Sequence, residues 1–253
     1  MTTRKKQKRQ KDGSLRGFVF SSVSFVVICA ALVFGMSVFF RVSNIEVIGA
    51  DRYTAEEIAE ASGIRNGDNL MLVNREAAAQ SVYSELIYIG EVTVRRRLPN
   101  TVVVTVAESG PSAVVGTDSG FWLIDYNCRL LEPGKTQDTD SYIKIAGLSA
   151  VRPEAGATLG VADGDKPKAA FLKAILTAMN AKGLMREVGS IDLSNVLNAE
   201  FEYRSGRLRV QLGSNDDLDY KFGLLLSVIE KLDAQDTGTI DLSQEKKAQF
   251  RPA

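Results

Sequence analysis

At 253 residues the chain is long enough for more than one domain, and its 31 Lys and Arg balance 31 Asp and Glu. It contains no histidine, which excludes His-dependent triads, Cys-His pairs and HExxH zinc sites, and removes the commonest general base. An enzyme built on this chain would need a Ser-Lys pair or paired carboxylates, and no spacing singles out either.

The charge is unevenly spread. Residues 1–17 hold seven Lys and Arg and one acid, a surplus of six, so the remainder carries a deficit of six. Phe18 to Phe40 then runs for 23 residues without a charge. As a helix this is roughly 35 Å, enough to span a hydrocarbon core of about 30 Å with some tilt. A basic flank stays on the cytoplasmic side. The sequence therefore predicts a cytoplasmic tail over 1–17, a transmembrane helix over 18–40 and an exported remainder. The run is too long for the apolar core of a cleaved signal peptide, and Arg41-Val42-Ser43 offers no small-residue cleavage site, so the anchor is read as retained. The basic tail suffices as a topology signal and can touch anionic lipid. The mildly acidic exported part argues against nucleic acid. Cys29 lies within the span and Cys128 beyond it, so no disulfide joins them. Cys128 reads as a small half-buried turn residue, with a reactive thiol as the alternative.

Beyond the span, Asn44 to Gly49 reads as a short strand. Thr54 with Glu57 forms a capping box, and Ala55, Ile58, Ala59 and Ser62 lie along one side of the helix it starts, which Gly63 ends. Asn74 caps a second helix with Ala78, Val82 and Leu86 inward. Val92 and Val94 alternate as a strand, Leu98-Pro99-Asn100 turns, and Thr101 to Glu108 returns. The order is strand, helix, helix, strand, strand. Short strands follow at 112–116, 121–125, 129–132 and 142–146. An amphipathic helix over 166–182 turns Phe171, Leu172, Ile175, Leu176 and Met179 inward. Strands at 190–193, 199–204 and 208–212 precede a second long helix over 217–232, striped by Leu218, Phe222, Leu225, Ile229 and Leu232. Its start, Asn215 to Asp219, places acids at the positive end of the helix dipole. Late strands are expected at 239–242 and 248–251. Asp163-Gly164-Asp165 only faintly resembles a calcium loop, because position 174, where an EF-hand needs Glu, is Ala. No catalytic, cofactor or metal site is expected.

At this point the chain resembles the FtsQ/DivIB family of bacterial division proteins. Val47-Ile48-Gly49 fits its V-x-G after the first strand. Val92 to Thr101 fits its V-x-V-x-R-x-x-P-x-T hairpin. Trp122 to Asp125, with Leu130-Leu131-Glu132, fits its L-I-D…V-L segment, and Thr239 to Ser243 fits its I-D-L-S strand. The resemblance implies an α+β, bitopic membrane protein: one transmembrane helix, a POTRA domain over 43–109, and a mixed β-sheet domain with two helices over 110–253, ending in an edge strand. Two departures stand out. The family's E-R-x-P junction is here Glu108-Ser109-Gly110-Pro111, which is expected to loosen the joint. Cys128 stands near the family's turn glycine.

The resemblance further implies a non-catalytic scaffold of the divisome, at the septum and outside the cytoplasmic membrane. Its last strand would receive a segment of FtsB/DivIC, itself paired with FtsL, and so help organise septal peptidoglycan synthesis. A septal penicillin-binding protein is a further candidate partner. Carried onto this chain, the docking edge is Ser243, Gln244, Ala248, Gln249 and Phe250. A strand edge with unpaired N–H and C=O groups is a natural place for strand addition. Phe250 either anchors the partner or folds back on the sheet. Lys246 and Lys247 either meet acids on the partner or keep the edge soluble. Rival readings are a membrane-tethered cell-wall enzyme using Ser or carboxylate chemistry, and a POTRA-bearing translocation accessory.

Overall fold

The computed structural model describes residues 12–135, 140–244 and 247–253. A 28-residue helix, α1 (Asp12–Phe39), comes first. The side chains of residues 12–21, 33, 36 and 37 lie outside the described set. Among the described residues no helix is long and apolar enough to cross a membrane.

The next unit has the expected strand, helix, helix, strand, strand order: β1 (Asn44–Ile48), α2 (Ala55–Ala61), α3 (Arg75–Glu85), β2 (Ile89–Arg97) and β3 (Thr101–Glu108). β3 is central, parallel to β1 and antiparallel to β2. The capping box forms: Glu57 N–H donates to Thr54 Oγ1 at 3.2 Å, and Thr54 N–H donates to Glu57 Oε2 at 2.8 Å. Asn74 Oδ1 accepts from Ala77 N–H at 3.1 Å. Each bond satisfies an N–H that has no partner inside its helix. Ile58, Ala61, Ala78 and Val82 pack onto Val94, Val102, Val104 and Val106. Ala55, expected on the inward side of α2, is exposed, and Ala61, the last residue of the helix, is buried with Ile58.

The rest forms a nine-stranded mixed sheet. Its strands are β4 (Ala113–Thr117), β5 (Gly120–Ile124), β6 (Leu130–Gly134), β7 (Ile143–Ser149), β8 (Val188–Asp192), β9 (Ala199–Tyr203), β10 (Leu208–Gly213), β11 (Gly238–Asp241) and β12 (Gln249–Pro252). The spatial order is β12-β11-β10-β9-β8-β7-β4-β5-β6. Two helices, α4 (Lys166–Ala181) and α5 (Leu218–Ile229), supply the apolar stripes expected of them. Phe171, Leu172, Ile175, Leu176 and Met179 join Leu218, Phe222, Leu225 and Ile229 in one core with the sheet. Leu232 lies past the end of α5 and packs half-buried on that core.

The start of α5 departs from the expected acidic cap. Asp217 is left-handed, with φ 43°, and its side chain makes no capping bond. The acid that acts is Asp216, whose Oδ1 accepts from Lys221 Nζ at 2.8 Å and from Ser214 Oγ at 2.5 Å. Lys221 is itself buried and also donates to the Leu212 and Ser214 carbonyls, at 3.0 and 2.9 Å. The cluster thus ties the helix to the end of β10, while Asp219 keeps one of the expected acids in the first turn of α5, at the positive end of its dipole.

Cys128 is fully buried, not half-buried, and takes φ 59° in the turn between β5 and β6. That conformation is why glycine would be easier there. Burial pushes its thiol up to about 12, with the Asp125 carboxylate adding to the effect, which removes the reactive-thiol alternative.

The junction between the two units is tied where the sequence suggested slack. Ser109 brings none of the donors of an arginine, and its Oγ is buried with no hydrogen-bond partner among the described residues, as is Asp125 Oδ2. Arg129 supplies the tie from the other side. It is 2% exposed and emerges from the same turn as Cys128. Its Nε donates to the Gly156 carbonyl at 2.9 Å. Its Nη atoms reach the carbonyls of Ile89, Leu86 and Ser84 at 3.2, 3.3 and 3.4 Å, at the end of α3 and the start of β2. The guanidinium also lies over the Tyr83 ring at 4.3 Å. A cation is well placed against the negative end of a helix.

Candidate partner-docking edge

β12 is the last strand of the large sheet and, among the described residues, pairs only with β11, antiparallel, in the register Thr239↔Arg251, Ile240↔Phe250 and Asp241↔Gln249. Ala253 N–H donates to the Thr237 carbonyl at 3.0 Å. In an antiparallel ladder the bonding pairs alternate, so Gln249 and Arg251 turn their backbone groups toward β11. The Phe250 N–H and C=O and the Pro252 C=O then face the open side. Pro252 has no N–H to offer.

Two backbone approaches build this edge. A Cβ on Gly238 would lie 2.2 Å from the Arg251 carbonyl oxygen, and a Cβ on Gly213 would lie 2.9 Å from the Ser243 Cβ. Both glycines have positive φ, 154° and 72°. Only a residue without a side chain lets β12 and the exit of β11 come so close.

Asp241 is the electrostatic pin. It is 8% exposed, and its Oδ1 accepts from Ser243 N–H at 3.0 Å and Ser243 Oγ at 2.6 Å. Its Oδ2 accepts from Arg251 Nη2 at 2.9 Å, a diagonal pair across the two strands. The Ser243 hydroxyl bond, then the Ser243 N–H and the Arg251 charge, outweigh burial and hold the carboxyl below its usual range. Ile240 and Leu242 beside it are buried in the core. The I-D-L-S run thus alternates core contacts with a turn-making acid.

The structure brings the five predicted residues together around this edge. Ser243 and Gln244 are exposed at the exit of β11. Ala248 is half-buried just before β12, Gln249 is exposed in it, and Phe250 is half-buried. The Phe250 ring packs against the large core, next to Gly238. One side of the ring therefore belongs to the sheet, as the fold-back alternative held. Lys247 is exposed, and Lys246 lies outside the described residues. Sequence reasoning missed Asp241 and Arg251 as the pair that fixes the strand; an Asp followed two residues later by Ser was the available signal. Elsewhere, Arg95, Arg96 and Arg97 are exposed. Among the described residues no group of three or more metal-ligating side chains occurs.

The family model described as "POTRA domain, FtsQ-type" matches residues 40–109. The cell division protein DivIB of Clostridium botulinum, strain Hall, is 24% identical over 249 residues, covering 98% of this chain and 93% of that relative. The cell division protein FtsQ of Corynebacterium glutamicum is 30% identical over 167 residues, covering 64% of this chain and 67% of that relative. The chain belongs to the FtsQ/DivIB family of cell division proteins. DivIB of Clostridium tetani, 24% identical over 208 residues, covers 81% of the chain and 77% of its own length. The FtsQ-type match coincides with the three-stranded unit and its capping-box helix, so the POTRA assignment rests on the same residues as the geometry.

Proposed function

We propose that this FtsQ/DivIB protein is a non-catalytic divisome scaffold whose strand β12 accepts a strand from an FtsB/DivIC-type partner, itself paired with an FtsL-type protein. On this reading residues 1–17 lie in the cytoplasm and residues 18–40 cross the cytoplasmic membrane. The POTRA domain (43–109) and the β domain (110–253) act outside it, at the septum. There the assembly helps organise septal peptidoglycan synthesis, with a septal penicillin-binding protein as a further partner.

The observation that supports this most is the open side of β12, which is held rigidly on its other side by β11 and the Asp241–Arg251 pair. A preformed edge lowers the ordering cost of strand addition. The partner would cover the outer face of Phe250 and pair with its N–H and C=O, while Ser243, Gln244, Ala248 and Gln249 flank the contact. A tether confines the search for the partner to the membrane plane and raises effective concentration.

The test is binding of the full chain, held in lipid nanodiscs, to the exported segment of the FtsB/DivIC-type protein of the same organism, alone and with its FtsL-type partner. Phe250→Lys is compared with the parent. Binding that is lost in a variant with unchanged circular dichroism supports the reading. Binding that survives moves the site off β12, and absence of binding to either form contradicts the scaffold assignment.

A further inference from the structure

The end of the POTRA unit next to α1 carries features that the β12 edge does not use. Residues 40–44 leave the helix and are held by two loops. The Phe40 carbonyl accepts from Leu70 N–H at 2.7 Å, Val42 N–H donates to the Asp68 carbonyl at 2.8 Å, and Ser43 N–H donates to the Asn100 carbonyl at 2.9 Å. The Asn100 side chain adds a bond to Ser43 Oγ at 2.6 Å. The loop ahead of α3 and the β2–β3 turn are therefore fixed beside the point where the chain leaves α1.

Each of these two loops presents a leucine to the outside. Leu72 is 80% exposed and Leu98 is 61% exposed. Arg41, Arg65 and Arg96 are exposed on the adjoining segments, and Arg96 donates through Nη2 to the Val73 carbonyl at 2.6 Å, beside Leu72 in the chain. The carboxylates at this end are already engaged. Asp68 Oδ2 accepts from Arg65 N–H at 2.8 Å, Glu46 pairs with Arg97, and Glu76 lies 3.7 Å from Arg75. Arginines outnumber acids, and apolar tips project among them.

We infer that this end of the POTRA unit is a lipid-contact surface. Leu72 and Leu98 enter the headgroup region of the bilayer that α1 crosses, and Arg41, Arg65 and Arg96 meet the phosphates of anionic lipids. The inference rests on the reading that residues 18–40 span the membrane. Apolar tips flanked by cations are the combination that seats a surface at the boundary of headgroups and acyl chains. Guanidinium groups match phosphate oxygens in geometry as well as in charge. Because residues 40–44 are bonded to both loops, the seat removes the swivel that a single covalent tether would leave. The orientation of the exported part, and with it the height of the β12 edge above the membrane, becomes fixed.

The experiment uses the full chain in vesicles of phosphatidylcholine, alone or mixed with phosphatidylglycerol. A spin label is placed on Leu72→Cys, on Leu98→Cys and, as a distant control, on Leu197→Cys, each in a Cys29→Ser background. Leu197 is 76% exposed and lies between β8 and β9. Cys128 is buried and does not label. A fourth sample carries the label on native Cys29. Collision with oxygen, relative to a water-soluble relaxing agent, reports immersion. The expected result is a lipid-like ratio at 29, raised ratios at 72 and 98, and a water-like ratio at 197. The ratios at 72 and 98 should rise further with phosphatidylglycerol and fall in an Arg41→Gln, Arg65→Gln, Arg96→Gln triple variant. Water-like ratios at 72 and 98 beside a lipid-like 29 overturn the surface while leaving the span intact. A water-like ratio at 29 overturns the span and the surface with it.

Discussion

Replacing Arg129 with Met should loosen the junction between the POTRA unit and the large sheet. The side chain is 2% exposed and makes its better bonds to Gly156 at 2.9 Å and Ile89 at 3.2 Å. Hydrogen bonds that involve a charged group contribute about 1.5–3 kcal/mol each. The longer contacts to Leu86 and Ser84 and the Tyr83 ring add about 1 kcal/mol. Against these stands the desolvation of the guanidinium, several kcal/mol, which the substitution relieves. The orphaned carbonyls leave a net loss of about 2–4 kcal/mol. For folded units of roughly 150–250 residues each kcal/mol moves the midpoint by about 2–4 °C, so Tm should fall by about 4–16 °C. Scanning calorimetry of the full chain in detergent micelles reads this out. Three of the Arg129 bonds, to Ile89, Leu86 and Ser84, cross from the large sheet to the POTRA unit, so the variant should also separate one transition into two. Arg129→Lys should fall between the two, since an ammonium lacks the fork that reaches several carbonyls. A variant that melts within about 2 °C of the parent, in one transition, would refute the clamp.

The β12 edge gives two further outcomes, and the turn between β5 and β6 gives a third. Gly238→Ala places a Cβ against the Arg251 carbonyl at 2.2 Å, so β12 should detach, with amide exchange newly fast at Gln249, Arg251 and Ala253 and loss of partner binding. Asp241 has a depressed carboxyl, so its contribution is fully present above the unfolded value, about 3.9, and is lost as pH falls through its lower folded value. Amide protection of β12 should therefore hold at neutral pH and fade in acid below about pH 4, and Asp241→Asn should weaken it at neutral pH and flatten that dependence. Alkylation of Cys128 should be negligible in the folded chain at mildly alkaline pH and rapid in denaturant, since its thiol is pushed up to about 12.

The POTRA order was legible because its signals are local: a capping box at Thr54 and Glu57, an Asn cap, and a β-branched return strand. The inward residues of α4 and α5 were legible from their period. The position of β12 at the sheet edge came from the family pattern, since a four-residue strand carries little periodicity. Arg129 was not legible. A lone arginine after a turn looks like a surface residue, and its acceptors are backbone carbonyls 27 to 45 positions away in the chain. Lys221 was not legible either, because a lysine on a helix normally faces water, yet here it is 4% exposed and bonded to the end of β10. All four hydrogen-bond acceptors of Arg129 and two of the three of Lys221 are main-chain oxygens, which no side-chain pattern announces.

Strand addition at β12 makes a prediction for one backbone group. Amide exchange of the full chain in nanodiscs should be followed with and without the exported segment of the FtsB/DivIC-type partner. The Phe250 N–H, which faces the open side, should exchange fast in the free chain and become protected on binding. The Gln249 and Arg251 N–H groups, already turned toward β11, should change little. Protection that appears elsewhere while the Phe250 N–H stays fast would contradict strand addition at this edge.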